Sequence, residues 1–266
     1  MLAAVLAGIA FAGCEDDNIK VDTAIDNAFR QQYPDATRVE WEKKQGYYVA
    51  DFRLNNTDAE AWYDRQGAWR MTERDVRYEQ LPATVKTAFE AGEYSAWRID
   101  DIDMLERPDA ETVYIIEVEQ GKVEYDLYYS TDGVLIKAVP DGGNSGGHQP
   151  SAVLPAVKEY IAAHYPQARI VDIDEEYNTI EVDIIDNKTP REVVFTKAGE
   201  WKYTKTEVRK ADVPEVVLNA LTASEYGAWR IDDIDMYQTA DGDYYLFELE
   251  SGSREIDLKI NTNGNI

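Results

Sequence analysis

The chain has 266 residues, enough for about two domains. Its 52 acidic and 27 basic side chains give a formal net charge of −25, so phosphate backbones and anionic lipid surfaces repel it, and we expect no nucleic-acid partner. Hydrophobic residues make up 44% of the chain, which is enough for ordinary cores. One cysteine excludes an internal disulfide, and one cysteine with two histidines excludes ordinary zinc sites.

The N-terminus is typical of an export signal. Residues 2–13 are apolar but too few to span a bilayer as a helix. Small residues precede Cys14 as in a bacterial lipobox, although Phe11 replaces the usual leucine. We therefore predict a signal peptide at 1–13, acylation of Cys14 and a tether at 14–18. This makes the protein an outer-membrane lipoprotein of the cell envelope, on either the periplasmic or the cell-surface side. A buried hydrophobic strand with a stray cysteine is the alternative.

The remainder is a tandem repeat. The sequence EYSAWRIDDIDM at 93–104 recurs as EYGAWRIDDIDM at 225–236. We predict two repeat domains, at 19–140 and 151–266. The glycine-rich segment 141–150 between them is predicted to be a flexible linker.

Each half divides again into a helical segment and a run of strands. Apolar residues at helical spacing begin near Val21, Leu81, Leu154 and Val213. Stretches rich in tyrosine, tryptophan, valine and isoleucine follow each one, with turn residues between them. The predicted fold class is α+β: one helix followed by an antiparallel four-stranded meander, four times over, with the helices on one face of the sheet.

Helix-plus-meander units in tandem, Tyr33-Pro34 after the first helical segment and the lipoprotein start together resemble the PepSY-like family. That family is described as similar to the beta-lactamase inhibitor protein. The resemblance covers residues 19–266 and implies paired repeats, a curved sheet and a role in binding or inhibiting extracellular enzymes. It supplies no catalytic residues.

Every unit carries a turn glycine with an acid seven positions before it and another acid sixteen positions before it. The glycines are Gly67, Gly133, Gly199 and Gly264. The acids are Asp51, Glu60, Glu117, Asp126, Asp183, Glu192, Glu248 and Asp257. A two-residue turn lies midway between the members of each pair, so the two acids should face each other across neighbouring strands.

Strand alternation places the acids opposite the apolar rows that meet the helices, on an open sheet face. Facing carboxylates are destabilising, so the arrangement needs an explanation. Water and nearby Arg70 or Lys202 neutralise the pairs in one interpretation. In the second, the face recognises a basic partner, with Trp62 and Tyr128 as exposed aromatic contacts. The third is binding of a divalent cation such as Ca²⁺, although no loop has the D-x-D-x-D-G spacing.

An enzyme is not expected. Residues 143–147 match G-x-S-x-G beside His148, but they lie in a linker and not between a strand and a helix. Four carboxylate pairs across a repeating sheet also differ from the single pair of a glycosidase pocket. We predict a secreted, lipid-anchored binding protein without a cofactor or metal, whose partner is a protein with a basic patch. The alternative is a structural or divalent-cation-binding envelope protein.

Overall fold

The computed structural model describes residues 19–140 and 148–266. The predicted signal peptide, Cys14, the tether and residues 141–147 of the predicted linker lie outside the described residues. The chain divides into two compact units, one ending at Trp69 and the other running from Arg70 to Ile266. None of the helices described is long and apolar enough to cross a membrane.

Within the described residues, four α-helices occur where the apolar spacing predicts them. They are α1 (Thr23–Gln32), α2 (Ala83–Ala91), α3 (Pro155–His164) and α4 (Glu215–Ala223). Each buries two apolar side chains four residues apart, such as Ile25 and Phe29 in α1. That spacing puts both side chains on one face of the helix. Pro82 and Pro214 stand at the N-cap positions of α2 and α4, directly before the first helical turn.

The first unit contains three antiparallel strands that pair in sequence order. They are β1 (Thr37–Lys44), β2 (Tyr47–Leu54) and β3 (Thr57–Tyr63). Strand β4 (Trp69–Asp75) begins at the boundary between the units. In the second unit β4 is followed by β5 (Arg98–Glu106), β6 (Val113–Gln120), β7 (Val123–Ser130) and β8 (Leu135–Pro140), each paired with the next.

The other strands of the second unit form a seven-stranded antiparallel sheet in the order β15-β14-β13-β12-β11-β10-β9. The strands are β9 (Arg169–Glu175), β10 (Thr179–Asp186), β11 (Thr189–Thr196), β12 (Trp201–Glu207), β13 (Arg230–Thr239), β14 (Tyr244–Ser251) and β15 (Arg254–Asn261). The predicted α+β class with antiparallel strands is confirmed. The sheet is larger than a four-stranded meander, because β12 pairs with β13 and so joins two successive units in one ladder.

The apolar rows meet the helices as the alternation predicts. In the first unit Ala50 and Phe52 of β2 pack in one cluster with Ile25 and Phe29 of α1. In the second unit Val182 of β10 packs with α3, and Leu258 of β15 packs with α4. These clusters fix which face of each sheet is left for the acids.

The predicted two-residue turns are also present. Asn55 and Asn56 both have positive φ, and so do Asn187 and Lys188, which is the conformation that a type I′ hairpin turn needs. This turn sets the register of the strands on either side, so it also sets which residues face each other.

Candidate functional site

All four pairs of acids face each other directly across neighbouring strands. Asp51 is the register partner of Glu60, Glu117 of Asp126, Asp183 of Glu192 and Glu248 of Asp257. The sequence prediction of four facing pairs is therefore confirmed. The pairs differ in burial: both members of the fourth are exposed, Asp183 is buried and the others are half-buried.

The first pair belongs to a cluster of three carboxylates. Oxygens of Glu42, Asp51 and Glu60 lie within 4.8 Å of one another. The Lys44 ammonium binds Glu42 at 2.6 Å and Glu60 at 2.9 Å. Burial, together with the charges of Glu60 and Glu42, raises the pKa of Asp51 to about 7. At neutral pH one lysine and partial protonation of Asp51 therefore offset part of the negative charge of this site.

The third pair joins a second cluster of carboxylates, formed by Asp172, Asp174 and Asp183. Lys137 of β8 reaches across to β9 and β10, and its ammonium lies 2.8 Å from Asp172, 2.9 Å from Asp174 and 2.8 Å from Asp183. Arg107, which follows β5, forms a buried ion pair with Asp172. These ion pairs connect the ladder β4–β8 to the sheet β9–β15 within the second unit.

The pKa values in this second cluster follow the balance between burial and the two cations. Burial raises the pKa of Asp172, but Lys137 and Arg107 outweigh it and hold that pKa well below its usual range. Burial raises the pKa of Asp183 to about 6 against the opposing charge of Lys137. Lys137 and Arg107 together therefore outweigh the burial of Asp172, whereas Lys137 alone offsets only part of the burial of Asp183.

Lysine ammonium groups fill both carboxylate clusters. Oxygen ligands suit hard cations, so either set of three carboxylates could in principle hold one. However, Lys44 touches two of the three acids in the first cluster, and Lys137 touches all three in the second. A divalent cation would have to displace a positive charge that is already in place.

Trp62 and Tyr128 are not exposed, so that expectation is wrong. Trp62 is 4% exposed and lies against Tyr47, whose ring centroid is 6.0 Å away. Tyr128 is 8% exposed, and its ring lies beneath the Lys137 ammonium at 5.0 Å. In the second unit the acid face also carries a layer of buried apolar residues outside the helix-packed clusters. Leu105, Ile115, Ile185 and Val194 belong to it.

This burial has a structural cause. Strand β8 contacts strand β11, and Lys137 extends from β8 to the acids of β9 and β10. The acid faces of these two ladders therefore meet and cover one another. Strand alternation identifies which residues share a face, but it cannot show that two such faces pack together.

The exposed part of the acid face lies on the last four strands, and we call it the β12–β15 surface. Its exposed or half-buried residues are Tyr203, Lys205, Glu207, Asp233, Tyr237, Tyr244, Leu246, Glu248, Glu255, Asp257 and Lys259, which share one face by the strand register. Tyr237 and Tyr244 stack at 4.9 Å with an interplanar angle of 6°. The Lys259 ammonium lies 3.6 Å from the Tyr244 ring centroid. The surface is therefore both acidic and aromatic.

Charge balance differs across this surface. The Lys205 ammonium lies 2.9 Å from Glu192, its register partner on β11, at the edge of the surface. Glu248 and Asp257 have no salt bridge to any residue that the structure describes. Burial raises the pKa of Glu248, with contributions from Asp233 and Asp257. The fourth pair is therefore the one whose repulsion an external cation would relieve.

Sequence reasoning missed the residues that neutralise the acids. Lys44, Lys137 and Lys205 fill that role, whereas the proposed Lys202 is exposed and has no salt bridge to any residue that the structure describes. The sequence could have identified Lys205 as a counter-charge. It lies on β12, the strand after the Gly199 turn, and strand alternation places it on the same face as the acids. Lys137 and Arg107 could not be identified in this way, because they act across the contact between two ladders.

His148 was set aside as a linker residue, but the structure gives it partners. Its Nδ1 lies 2.9 Å from Glu73 Oε1, and its Nε2 lies 2.9 Å from the Tyr128 hydroxyl. This carboxylate–histidine–hydroxyl chain has the connectivity of a nucleophile triad. Burial nevertheless raises the pKa of Tyr128, which keeps its hydroxyl protonated, and the hydroxyl lies in a buried side chain. The chain therefore does not present an activated nucleophile to solvent.

Comparison with known proteins gives one family and several solved structures. The family described as "Putative beta-lactamase-inhibitor-like, PepSY-like" matches residues 46–137, 146–189 and 178–266, in agreement with the resemblance seen in the sequence. No curated protein matches the chain. A BLIP-like protein from Bacteroides fragilis is 35% identical, with a TM-score of 0.48, and the match covers 50% of this chain and 96% of that one. A DUF2874 family protein from Bacteroides ovatus is 31% identical, with a TM-score of 0.45, covering 48% and 95%.

Proposed function

The chain belongs to the beta-lactamase-inhibitor-like, PepSY-like family, and on that basis we propose that it is a secreted binding protein, anchored by lipid in the cell envelope, that captures an extracellular enzyme or another protein. The family description supports a protein partner in place of a small substrate. The hydrogen-bonded residues Glu73, His148 and Tyr128 favour a binding function over a catalytic one, because the Tyr128 hydroxyl is neither activated nor accessible.

We place the partner contact on the β12–β15 surface. The observation that carries this choice is the exposed Glu248–Asp257 pair, which has no salt bridge to the described residues and lies in the same row of strands as the stacked Tyr237 and Tyr244. A lysine or arginine from a partner would relieve the repulsion between the two carboxylates, and the tyrosines would supply the desolvated contact area that dominates interface energetics. The first and third acid pairs serve internal ion pairing instead.

The partner itself is expected to carry a basic patch, and the charge-reversed variant Glu248→Lys/Asp257→Lys tests this. The soluble chain without residues 1–18 is used to capture proteins from a native envelope extract, and captured proteins are quantified by mass spectrometry. The partner bound by the wild type should be lost at least about tenfold from the variant, since close charge pairs at interfaces couple by ~1.5 kcal/mol or more. Tyr244→Ala should weaken the same partner by ~2 kcal/mol.

Glu225→Lys is the matched control, because Glu225 is an exposed acid of the same unit outside the β12–β15 surface. It changes net charge in the same direction and should retain the partner. A partner that binds all variants equally would place the contact elsewhere. Loss of the partner from Glu225→Lys as well would indicate a response to overall charge and not to this surface.

A cation-binding role has less support. Each three-carboxylate cluster already contains a lysine ammonium, so binding of Ca²⁺ would require Lys44 or Lys137 to leave its acids. Such a displacement leaves a buried or half-buried ammonium without its partners, which is costly.

Acylation of Cys14 provides the proposed anchor. Replacing Cys14 with serine removes the thiol that the lipid would modify, so the variant should appear in the soluble fraction while the wild type sediments with membranes. Metabolic labelling with a radioactive or clickable fatty acid measures the modification directly. Undiminished labelling of Cys14→Ser would show that the lipid is attached elsewhere.

A further inference from the structure

His148 connects the segment that enters the second predicted domain to two strands of the first. Its Nδ1 is held by Glu73 of β4, and its Nε2 is held by the Tyr128 hydroxyl of β7, each at 2.9 Å. The imidazole and the Tyr128 ring also meet edge to face, with centroids 5.9 Å apart. The side chain of His148 is only 21% exposed. A histidine with both nitrogens bound and little solvent contact has a defined environment for protonation.

Charged groups from three neighbouring segments act on this imidazole: Glu73 on β4, Asp103 and Arg107 on and after β5, and Asp172 on β9. A second set of charges acts on its neighbours: Asp75 and Asp101 on Asp103, and Lys137 and Asp174 on Tyr128 of β7. Burial and the charge of Glu73 raise the pKa of Asp103 to about 7. Burial lowers the pKa of His148, but the hydrogen bond and charge of Glu73 outweigh that effect, so the net shift is upward.

The hydrogen bonds can persist in both protonation states. The imidazolium donates from Nδ1 to Glu73 and from Nε2 to the Tyr128 oxygen. In the neutral ring Nδ1 still donates to Glu73, while the Tyr128 hydroxyl rotates and donates to Nε2. Deprotonation therefore removes the positive charge of the imidazole but still allows both hydrogen bonds to form. What the site loses is the cation that balances Glu73 and Asp103.

We propose that His148 forms a pH-dependent attachment: its imidazolium binds the segment beginning at residue 148 to β4 and β7, and deprotonation weakens that attachment. Because the folded state binds this proton more tightly than the unfolded chain, the stabilisation is complete below the ordinary histidine pKa of about 6.5. It is lost as the pH rises through the higher folded value.

Proton NMR of the imidazole resonances tests the charge coupling. The chain has only two histidines, and His164→Gln identifies the signal of His148. Glu73→Gln keeps a hydrogen-bond acceptor for Nδ1 but removes the charge. The midpoint of the His148 titration should fall by about one pH unit or more in this variant. An unchanged midpoint would overturn the proposal, because Glu73 would then not be the counter-charge.

Hydrogen exchange measured by mass spectrometry tests the attachment itself. After correction for the intrinsic pH dependence, protection of the peptide that includes residues 148–153 should fall at least about threefold between pH 6 and pH 8.5 in the wild type, corresponding to ~0.6 kcal/mol. In His148→Gln, protection should be low and independent of pH, with His164→Gln behaving like the wild type. Equal pH dependence in His148→Gln and the wild type would overturn the assignment of the pH-dependent attachment to this residue.

Discussion

Lys137→Met should destabilise the second unit by ~3–5 kcal/mol at neutral pH, which is the usual cost of removing one partner from a buried ion pair. Lys137 binds Asp172, Asp174 and Asp183 within 2.9 Å, and the first and last of these acids are buried. Methionine fills a similar volume without charge, so the loss would come mainly from the uncompensated carboxylates. Urea unfolding followed by tryptophan fluorescence measures the free energy of unfolding.

The effect should depend on pH in a defined direction. Asp183 already has a pKa raised to about 6 by burial, and removing Lys137 raises it further. The folded variant therefore binds protons more tightly than the unfolded chain, and its stability falls as the pH rises. The deficit relative to the wild type should be larger at pH 8 than at pH 5, and pH 5 also offers a condition under which the variant folds.

Lys202→Met provides the comparison, because Lys202 lies on β12 but is exposed. Its replacement should change stability by less than about 0.5 kcal/mol. Lys137→Arg retains a positive charge and should lose less than Lys137→Met. If Lys137→Met and Lys202→Met proved equally stable at both pH values, the contact between the ladders would not depend on this ion pair.

Gly133→Ala should be more disruptive than alanine at Gly67 or Gly121, two other turn glycines with positive φ. Gly133 has a φ of +83°, and a Cβ at this position would lie 2.5 Å from the carbonyl oxygen of Thr84 in α2. The backbone cannot accommodate that distance without moving α2 away from the sheet. We expect a loss of ~2–4 kcal/mol, the sum of left-handed strain of ~1 kcal/mol and overpacking of ~1–3 kcal/mol.

Two other glycines separate these contributions. Gly121 has a φ of +73°, and an added Cβ there would meet nothing within 4 Å, so Gly121→Ala should cost only the backbone strain of ~1 kcal/mol. Gly67 occupies the corresponding turn of the first repeat, but its nearest neighbour would be Ile25 at 3.6 Å, an ordinary contact. Thermal unfolding of the three variants should rank Gly133→Ala well below the other two. Equal losses would show that φ alone decides the cost.

The repeating features of this chain could be predicted from local physics. A type I′ turn and strict alternation determine register, so the facing of Asp183 and Glu192 follows from the sequence between them. The helix-facing rows follow from the same alternation. Both depend only on residues that are close in the chain.

Contacts between distant strands could not be predicted in this way. Tyr128 has the parity of an exposed face, yet it is buried because His148 and Lys137 lie against it. No sequence feature near Asp172 indicates that Arg107 is its ion-pair partner. Packing between ladders therefore determines which part of the acid face is buried. The alternation of residues in the sequence describes only each ladder by itself.

The sequence-ordered pairing of strands has a consequence for how the second unit folds. Apart from β12–β13, whose connection contains α4, the strand pairs of the seven-stranded sheet are joined by short loops, so closing each loop costs little entropy. The pairs Arg107–Asp172 and Glu73–His148 must instead close segments of 65 and 75 residues. Low contact order favours rapid formation of the ladders, with these few long-range ion pairs completed afterwards. A chain arrested between the two stages would expose the apolar residues of the acid face, among them Ile115 and Val194, and so would be the state most prone to aggregate.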